Sequence, residues 1–401
     1  MNESTAETKG VFRIKDWWSK ASLLMGMIYL FAVRYQISFE KFISLAILSF
    51  IAIAGFASMG YFLNDLFDVK KDALARKRNF LTGKSPLVIT FLFLMSATFV
   101  LVPWYFLPKT NFSFILIGAQ LLLFIIYSAP PIRLKERGMA GIVTDALYAH
   151  GLPTFLAAYT FSLAANKAFP TPDIILLCIW QATSGVRNIV LHQWWDAEAD
   201  KKSGSKNFIA GLTALECQWL VFKLITFELV FSLSFFSFLL LRLNILFVIC
   251  FLTVIGLYAC AFSSFKRLSL LFSPKGTNVF FNSDSKFFPN NIYEKWLPVA
   301  YLVILSMSDL RFLLLLVLHQ ALFNFSLYSL VADGIYGRWK SIPFRGHLIT
   351  VRIFLSYPGN YFIYYVFRIF GVDLKKENTS ALAYFRRRRG HKQEVPKHNN
   401  Q

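Results

Sequence analysis

The chain has 401 residues, of which 56% are hydrophobic and 16% are charged, and its formal net charge is +20. This composition excludes an ordinary soluble domain and predicts a protein that crosses a membrane several times. No nucleic-acid-binding motif accompanies the basic residues, so a nucleic acid is not an expected partner.

The first ten residues, MNESTAETKG, are polar and lack the basic start, apolar core and small-residue cleavage site of a secretory signal. We therefore expect residues 1–11 to be retained as a polar N-terminal segment. Nine later segments are long and apolar enough, or nearly so, to cross a hydrocarbon core, which needs about 20 residues. They are residues 17–34, 42–63, 86–107, 112–129, 140–165, 173–195, 218–241, 243–262 and 309–331. All are predicted to be helices, because lipid offers no partner to unpaired backbone groups.

The C-terminal part of the chain differs in character. Residues 348–370 are apolar but contain Arg352, Pro358 and Arg368, so they fit either a tenth span or a helix lying in the interface. The closing segment, FRRRRGHKQEVPKHNNQ, is a basic tail. Ten spans would place this tail on the same side as the other basic segments. The predicted fold class is therefore all-α, a multi-span transmembrane bundle of about nine spans with this segment as a candidate tenth.

Lys and Arg are concentrated in alternate connections between the predicted spans. The connections after the second, fourth, sixth and eighth spans contain DVKKDALARKRNFLTGK, IRLKERG, DKKSGSKNF and FKRLSLLFSPKG. By the positive-inside rule, these connections and the N-terminus face the cytoplasm, where their charge also attracts anionic membrane lipids. We therefore expect an integral multi-pass membrane protein, located in the cytoplasmic membrane if the organism is bacterial.

Two groups of acidic residues follow predicted spans on that same side. In NDLFDVKKD, residues 64–72, helical spacing brings one amide and three carboxylates to one flank of a helix end. In DAEAD, residues 196–200, two carboxylates repeat the i, i+4 spacing. The residues concerned are Asn64, Asp65, Asp68 and Asp72 in the first group and Asp196 and Asp200 in the second. Because both groups lie on one side, they indicate one shared site.

So many acids beside a membrane are costly unless cations neutralise them. Oxygen ligands of this kind suit Mg²⁺, whose coordination is commonly completed by phosphate and water. Basic residues follow or separate the two groups: Arg76, Lys77, Arg78, Arg133, Lys135, Arg137, Lys201 and Lys202. Arg and Lys often bind a metal-bridged diphosphate, so we expect a lipid diphosphate whose tail lies among the helices. The alternative is that these acids and bases form solvated surface salt bridges, which contribute little to stability.

Three segments together resemble the UbiA-type intramembrane polyprenyl transferases. NDLFDVKKD fits N-D-x-x-D-x-x-x-D, DAEAD fits D-x-x-x-D, and YSAPPIRLKERG, residues 127–138, is similar to the family's Y-x-x-x-P-P-x-R-L-K loop. The likeness covers roughly residues 12 to 330. Two positions depart from it: Asn79 follows Arg78 where many relatives have Pro, and Ala199 stands where many have another acid.

The resemblance implies a transferase domain over residues 12–332, built as a helical bundle around a central cavity, and a C-terminal extension over residues 333–401. It implies a Mg²⁺-dependent transfer of an isoprenoid group from a polyprenyl diphosphate to an acceptor. The implied metal ligands are Asn64, Asp65, Asp68, Asp72, Asp196 and Asp200, of which Asp65, Asp68, Asp196 and Asp200 are also catalytic. Asn64, Arg78 and Lys135 would bind the diphosphate. Tyr127 would act near the allylic carbon or help to close the loop.

Other functions stay open on the sequence. Transfer of phosphoribose from a phosphoribosyl diphosphate to a polyprenyl phosphate would use much the same metal site. A polytopic transporter would also bury polar groups, but near the midplane in broken helices. The acceptor is equally open: an aromatic quinone precursor, a porphyrin-type alcohol, a glycerophosphate lipid and a sugar-phosphate pathway all fit.

Four ionisable residues inside or near the predicted spans are further candidates. Asp145 and His150 lie within the fifth predicted span, and Arg187 and His192 precede the second acid group. Each fits either a contact to the acceptor or a hydrogen bond between helices, since such residues usually face a cavity or another helix. Arg187 and His192 also fit a role in orienting the second acid group, and Asp145 is the better candidate for the acceptor site.

Overall fold

The computed structural model describes residues 14–74, 79–203, 208–262, 290 and 292–323, and within these residues every regular element is helical. The α-helices are α1 Ile14–Tyr35, α2 Phe39–Leu74, α3 Pro86–Leu101, α4 Pro103–Phe106, α5 Asn111–Ser128, α6 Met139–Ala146, α7 Leu152–Ala164, α8 Pro172–Ser203, α9 Ala214–Leu240, α10 Ile245–Phe262, α11 Leu297–Ser308 and α12 Phe312–Leu322. Two 3₁₀ turns, Leu134–Glu136 and Ile209–Gly211, and two π-helical turns, Leu147–Gly151 and Ile292–Trp296, complete the description. The all-α fold class is confirmed.

Five helical segments of the described chain are long and apolar enough to cross a membrane. They are Phe39–Leu74, Pro86–Phe106, Asn111–Ser128, Pro172–Trp194 and Leu215–Leu240. They correspond to the second, third, fourth, sixth and seventh predicted spans. Two shorter apolar helices, Ala21–Tyr35 and Leu297–Ser308, accompany them. The total of nine spans stays a prediction, and the candidate tenth span lies outside the described residues.

The fifth predicted span is helical throughout but is not a single α-helix. A π-helical turn, Leu147–Gly151, joins α6 to α7. Pro153 stands in the first turn of α7, where it has no N–H to donate and its ring crowds the carbonyl one turn earlier. The wider π-helical turn accommodates this crowding and turns Tyr148 and His150 towards the interior of the bundle.

Helix α11 was missed by the sequence prediction, which placed no helix between residues 263 and 308. Its twelve residues are too few to span a membrane alone, so a search for runs of about 20 apolar residues overlooks it. Nine of the twelve are buried, and α11 packs against α1, α10 and α12. The predicted ninth span therefore begins at Phe312, after a turn at Asp309 to Arg311, and is described as far as Phe323.

The helices pack against one another around a central space. Helix α1 contacts α2, α7 and α11, helix α2 contacts α3 and α5, and α5 contacts α7. Helices α6 and α7 contact α8, which in turn packs along α9. At one end of the bundle, Arg34 of α1 donates two hydrogen bonds to Asp173 at the start of α8, at 2.6 and 3.0 Å. The N-terminal end of α1 and the C-terminal end of α8 therefore point to the opposite end.

Helices α2 and α3 approach closely at Gly55. A Cβ atom at this position would lie 2.5 Å from backbone atoms of Phe99 and Val100. We expect Gly55→Ala to force the two helices apart and to destabilise the fold by about 1–3 kcal/mol, as overpacking generally does. Gly118 of α5 is the matched control, because no heavy atom lies within 4 Å of its added Cβ. Denaturant unfolding of both variants in detergent measures the difference, and equal stability would contradict the close approach.

Candidate active site

The first acid group lies on the last turns of α2, beyond the apolar part of the helix. With 36 residues, α2 is about 54 Å long, whereas the hydrocarbon core of a bilayer is about 30 Å thick. The helix is mostly apolar from Phe42 to Leu63 and turns polar at Asn64, so the acids emerge at one end of the bundle. Asp65 is buried, while Asn64, Asp68 and Asp72 are partly exposed.

A basic loop folds back onto this helix end. After α5, the chain passes through Arg133, whose φ of 42° is left-handed, and then through the 3₁₀ turn Leu134–Glu136. Lys135 Nζ donates to Asn64 Oδ1 at 2.8 Å and to Asp68 Oδ2 at 2.6 Å. Arg133 Nη2 donates to Asp68 Oδ1. Both oxygens of the Asp68 carboxylate therefore accept a hydrogen bond from a cation.

Two further features hold the basic loop in place. Arg133 Nη1 donates to the carbonyls of Phe67 and Ser128, both at 3.3 Å, which ties the loop to the backbones of α2 and α5. The carbonyl of Leu134 lies 2.6 Å from the position of a Cβ at Gly141, so the loop can rest on α6 only because this residue has no side chain. The position of Lys135 is thus fixed by three helices.

The ionisation of the loop reflects this packing. Burial lowers the pKa of Lys135, and its contacts with Asp68 only partly oppose that shift. Burial would raise the pKa of Glu136, but hydrogen bonds from Lys71 and Arg133 outweigh it and hold the pKa below its usual value. Glu136 is therefore ionised at neutral pH and fixes the Arg133 side chain that reaches Asp68.

Asn79, one of the two positions that depart from the resemblance, stabilises the helix end. Its Nδ2 donates to the backbone carbonyl of Asp65 at 2.7 Å and to Asp72 Oδ2 at 2.9 Å, while its Oδ1 accepts from the N–H of Leu81 at 2.9 Å. The side chain is 6% exposed. A Pro side chain could make none of these hydrogen bonds. Asn79 at this position therefore orients the carboxylate of Asp72.

The donor set suits magnesium, but the described side chains do not complete a site. Among them, no three His, Cys, Asp or Glu residues converge closely enough to hold a metal ion. Amide and carboxylate oxygens on α2 are the ligand type that Mg²⁺ prefers. Asp196 and Asp200 lie on the last turns of α8, but their side chains are outside the described set, and Arg78 is outside the described residues.

A cavity of about 340 Å³ begins at Asn64 and extends into the bundle. This is the size range of pockets that hold small organic ligands. Its lining comes from α1, α2, α5, α6, α7, α8 and the π-helical turn, and it includes Trp17, Leu24, Ile53, Phe56, Gly60, Asn64, Gln120, Phe124, Tyr127, Asp145, Tyr148, His150, Asn188 and His192. The predicted residue Tyr127 therefore faces the same space as Asn64.

A smaller cavity of about 50 Å³ continues this space away from Asn64. The two cavities share Leu24, Ile53, Phe56, Gln120 and Pro153 in their linings, and the smaller one reaches Trp104 and Leu107. Apart from Gln120, these residues are apolar. The interior therefore has a polar end at the acid group and an apolar end in the middle of the helices.

A buried polar network lies behind the α8 side of the cavity. Arg187 is fully buried and binds Glu228 of α9 at 2.5 and 3.1 Å and Asn290 at 2.7 Å. Asn290 also donates to Asn188, which lines the cavity. The network joins α8, α9 and Asn290, so the described contacts of Arg187 connect helices. Glu228 and Asn290 were missed by the sequence analysis, although an acid inside a predicted span is itself a signal of a buried partner.

The geometry agrees with what sequence comparison finds. A family model described as the UbiA prenyltransferase family matches residues 21–275, more than half of the chain. The protein belongs to the UbiA prenyltransferase family. A search of curated protein sequences finds no significant match for this UbiA-family chain.

One of the similar solved structures supports the same fold. An apo UbiA homolog from Aeropyrum pernix K1 is 12% identical, with a TM-score of 0.51, and the match covers 72% of this chain and 98% of that one. A UbiA homolog from Archaeoglobus fulgidus bound to DMAPP and Mg²⁺ is 16% identical, with a TM-score of 0.47 and coverage of 74% and 98%. A structure of digeranylgeranylglyceryl phosphate synthase is 16% identical, with a TM-score of 0.45 and coverage of 76% and 95%. At these identities the Aeropyrum likeness supports the fold alone.

Asn79→Ala tests whether Asn79 prepares the acid group. The change leaves the N–H of Leu81 without its acceptor and removes the hydrogen bond to Asp72, so we expect a loss of about 1–3 kcal/mol in stability. We also expect a weaker stabilisation by Mg²⁺ with pyrophosphate, measured as the shift in unfolding temperature.

The matched control is Asn244→Ala. Asn244 Oδ1 accepts from the N–H of Leu246 at 2.9 Å, which is the same local bond that Asn79 makes to Leu81, but at the start of α10. The control should leave the Mg²⁺-dependent shift unchanged. An equal loss of this shift in both variants would contradict a specific role for Asn79 at the acid group.

Proposed function

We propose that this protein is a Mg²⁺-dependent intramembrane prenyltransferase that moves an isoprenoid group from a polyprenyl diphosphate to an acceptor. The observation that carries the proposal is the meeting of Asn64, Asp68 and Lys135 at the end of a mostly apolar cavity. This end offers oxygen ligands to a metal and cations to a diphosphate. The adjoining space offers apolar walls to a hydrocarbon chain.

The proposed metal ligands come from both acid groups. They are Asn64, Asp65, Asp68, Asp72, Asp196 and Asp200, with Asp65, Asp68, Asp196 and Asp200 essential for the reaction. Bound Mg²⁺ would neutralise charge on the departing diphosphate. Participation of the second group is supported by His192, which lines the same cavity as Asn64 and lies one helical turn before Asp196 in α8.

Basic residues are proposed to bind the phosphate oxygens. Lys135 is already held at the cavity entrance by Asn64 and Asp68, and an ammonium at that position can donate to a phosphate without leaving the site. Arg133 keeps the Asp68 carboxylate oriented through its bond to Oδ1. Arg78, which follows the first acid group in sequence, is proposed as a further phosphate ligand because of the family resemblance.

The apolar part of the interior is proposed to hold the isoprenoid chain. Leu24, Ile53 and Phe56 line both cavities, so a chain that starts at Asn64 can continue towards Trp104. Apolar walls exclude water, which would otherwise capture an allylic cation. Tyr127 lines the cavity near its polar end, and its ring is proposed to lie beside the allylic carbon, where an aromatic face stabilises positive charge.

The chain is an integral membrane protein, as its long apolar helices and its family indicate. We propose that the N-terminus and the basic connections face the cytoplasm, following the distribution of Lys and Arg. We also keep residues 12–332 as the proposed transferase domain, with residues 333–401 as a C-terminal extension.

The other functions receive less support. A carrier would place its principal acids near the membrane midplane in broken helices, whereas Asn64 and Asp68 follow the apolar part of an unbroken α2. Phosphoribosyl transfer would use a similar metal site. An activity assay must therefore decide between a polyprenyl diphosphate and a phosphoribosyl diphosphate as the donor.

The decisive activity test removes one carboxylate from each acid group. Purified full-length protein in lipid nanodiscs is incubated with geranylgeranyl diphosphate, Mg²⁺ and a panel of aromatic, alcohol and glycerophosphate acceptors. We expect Mg²⁺-dependent pyrophosphate release, and a loss of roughly 10²-fold or more when Asp68→Ala and Asp196→Ala are combined, because stabilisation of the leaving group is lost.

Asp309→Ala is the control for removing a carboxylate. Asp309 lies in the turn before α12, where Arg311 also binds Glu40 at the start of α2, so it is at the other end of the bundle from Asp68. The activity of the Asp309→Ala variant should equal that of the unchanged protein. Pyrophosphate release that persists in the double variant would contradict the assignment of the metal ligands. Pyrophosphate release from phosphoribosyl diphosphate alone would favour phosphoribosyl transfer.

A further inference from the structure

The smaller of the two cavities, called the inner cavity below, is lined by polar side chains as well as apolar ones. Its lining includes Trp104 of α4, Gln120 of α5 and Thr154 of α7, which are 4%, 2% and 1% exposed. Within the described part of the chain, Trp104 Nε1, Gln120 Oε1 and the Thr154 hydroxyl make no hydrogen bond. A buried polar atom without a partner is costly, so a bound partner is expected for each of them.

The neighbouring contacts leave these atoms available to a ligand. Gln120 Nε2 donates to the backbone carbonyl of Tyr148 at 3.0 Å, so the amide nitrogen is already engaged and the oxygen is the free end. Thr144 and Thr160 donate to the carbonyls four residues earlier, at 2.7 and 2.9 Å, as threonines in helices commonly do. Thr154 comes shortly after the π-helical turn and makes no such bond.

The three polar groups and the size of the inner cavity suit water. An indole N–H donates, an amide oxygen accepts, and a hydroxyl does both. One water molecule can therefore bind Trp104, Gln120 and Thr154 together, and buried waters make about three hydrogen bonds. The volume of about 50 Å³ exceeds the roughly 10–15 Å³ that a water requires. None of the described residues that line the inner cavity is charged, so an ion would find no counter-charge there.

The inner cavity lies where the fourth unit of an isoprenoid chain would arrive. Its lining on α2 extends from Phe56 to Ser49, which are about 12 and 23 Å from Asn64 at a rise of about 1.5 Å per residue. An extended peptide residue spans about 3.3–3.6 Å over three bonds, so an isoprene unit of four bonds spans about 4.5 Å. From a diphosphate at Asn64, three units would reach about 14 Å, the near edge of the inner cavity, and four units about 18 Å, its middle.

We propose that Trp104, Gln120 and Thr154 hold water at the inner end of the cavity and that these polar groups limit the length of the isoprenoid chain. The inference deepens the proposed function and rests on it. A hydrocarbon chain that displaced the water would leave the three polar atoms buried without a partner. A ligand group that cannot reproduce the hydrogen bonds of an ordered water loses affinity. The preferred donor therefore carries up to three isoprene units.

The test compares geranyl, farnesyl and geranylgeranyl thiolodiphosphates, unreactive donors that differ in chain length alone. Their binding with Mg²⁺ is measured by calorimetry on the full-length protein in nanodiscs. We expect the farnesyl analogue to bind more tightly than the geranyl analogue, because it buries one more isoprene unit. We expect the geranylgeranyl analogue to bind roughly tenfold more weakly than the farnesyl analogue, or weaker still. Geranylgeranyl diphosphate remains a substrate at saturating concentration.

Two variants of Thr154 separate the effect of polarity from the effect of space. Thr154→Val removes the hydroxyl and keeps the shape of the side chain, whereas Thr154→Ser keeps the hydroxyl and leaves more room. We expect Thr154→Val to raise the affinity for the geranylgeranyl analogue roughly fivefold or more, because one polar atom fewer is left unpaired. Thr154→Ser should leave this affinity unchanged. Neither variant should change binding of the geranyl analogue, which does not reach the inner cavity.

Thr160→Val is the matched control. Thr160 is a buried threonine of the same helix, but it lines neither cavity, and its hydroxyl already bonds to the carbonyl of Leu156. This variant should leave the order of the three affinities unchanged.

Two results would overturn the inference. One is a geranylgeranyl analogue that binds the unchanged protein as tightly as the farnesyl analogue. The other is a gain in Thr154→Ser that equals or exceeds the gain in Thr154→Val, since space rather than polarity would then set the limit. In either case, if the analogues bind with Mg²⁺ and lose affinity in Asp68→Ala, the prenyl transfer site stands and the proposed length limit alone is wrong.

Discussion

The pairing of Asp68 with Arg133 and Lys135 is the contact on which the site depends. It joins residues more than sixty positions apart in the chain and gives both oxygens of the carboxylate a cationic donor. An acid at the end of a membrane helix is costly without such neutralisation. The same contact holds the basic loop against the end of α2, where Asn64 lines the cavity, so one interaction places acidic and basic groups at the polar end of the interior.

The rest of the bundle supports that end. Helix α8 is fixed by Arg34 at its start and by the buried Arg187–Glu228 pair in its middle, so its course through the bundle is set at two points. Removing one partner of such a buried pair leaves an uncompensated charge, which generally costs about 3–5 kcal/mol. Polar contacts therefore set the positions of the helices, and apolar packing fills the space between them.

Much of this architecture could be predicted from the sequence. Long apolar runs identified five helices that fit a membrane span, and helical spacing with the three motifs indicated the acid group, the basic loop and the family. Helix α11 was missed because a buried segment of twelve residues has no span-length signal. The bonds of Asn79, the π-helical turn beside Pro153 and the partner of Arg187 could not be predicted, since each depends on which distant segments pack together. The chemistry of the second acid group and the donor stays a proposal.

A structure of the protein with Mg²⁺ and geranylgeranyl thiolodiphosphate would test the central claim most directly. The account predicts metal ions within about 2.0–2.1 Å of oxygens from both Asp68 and Asp196, bridged by one diphosphate, with the isoprenoid chain along Ile53 and Phe56. A diphosphate bound away from Lys135, or the two carboxylates too far apart for one diphosphate to bridge, would contradict it.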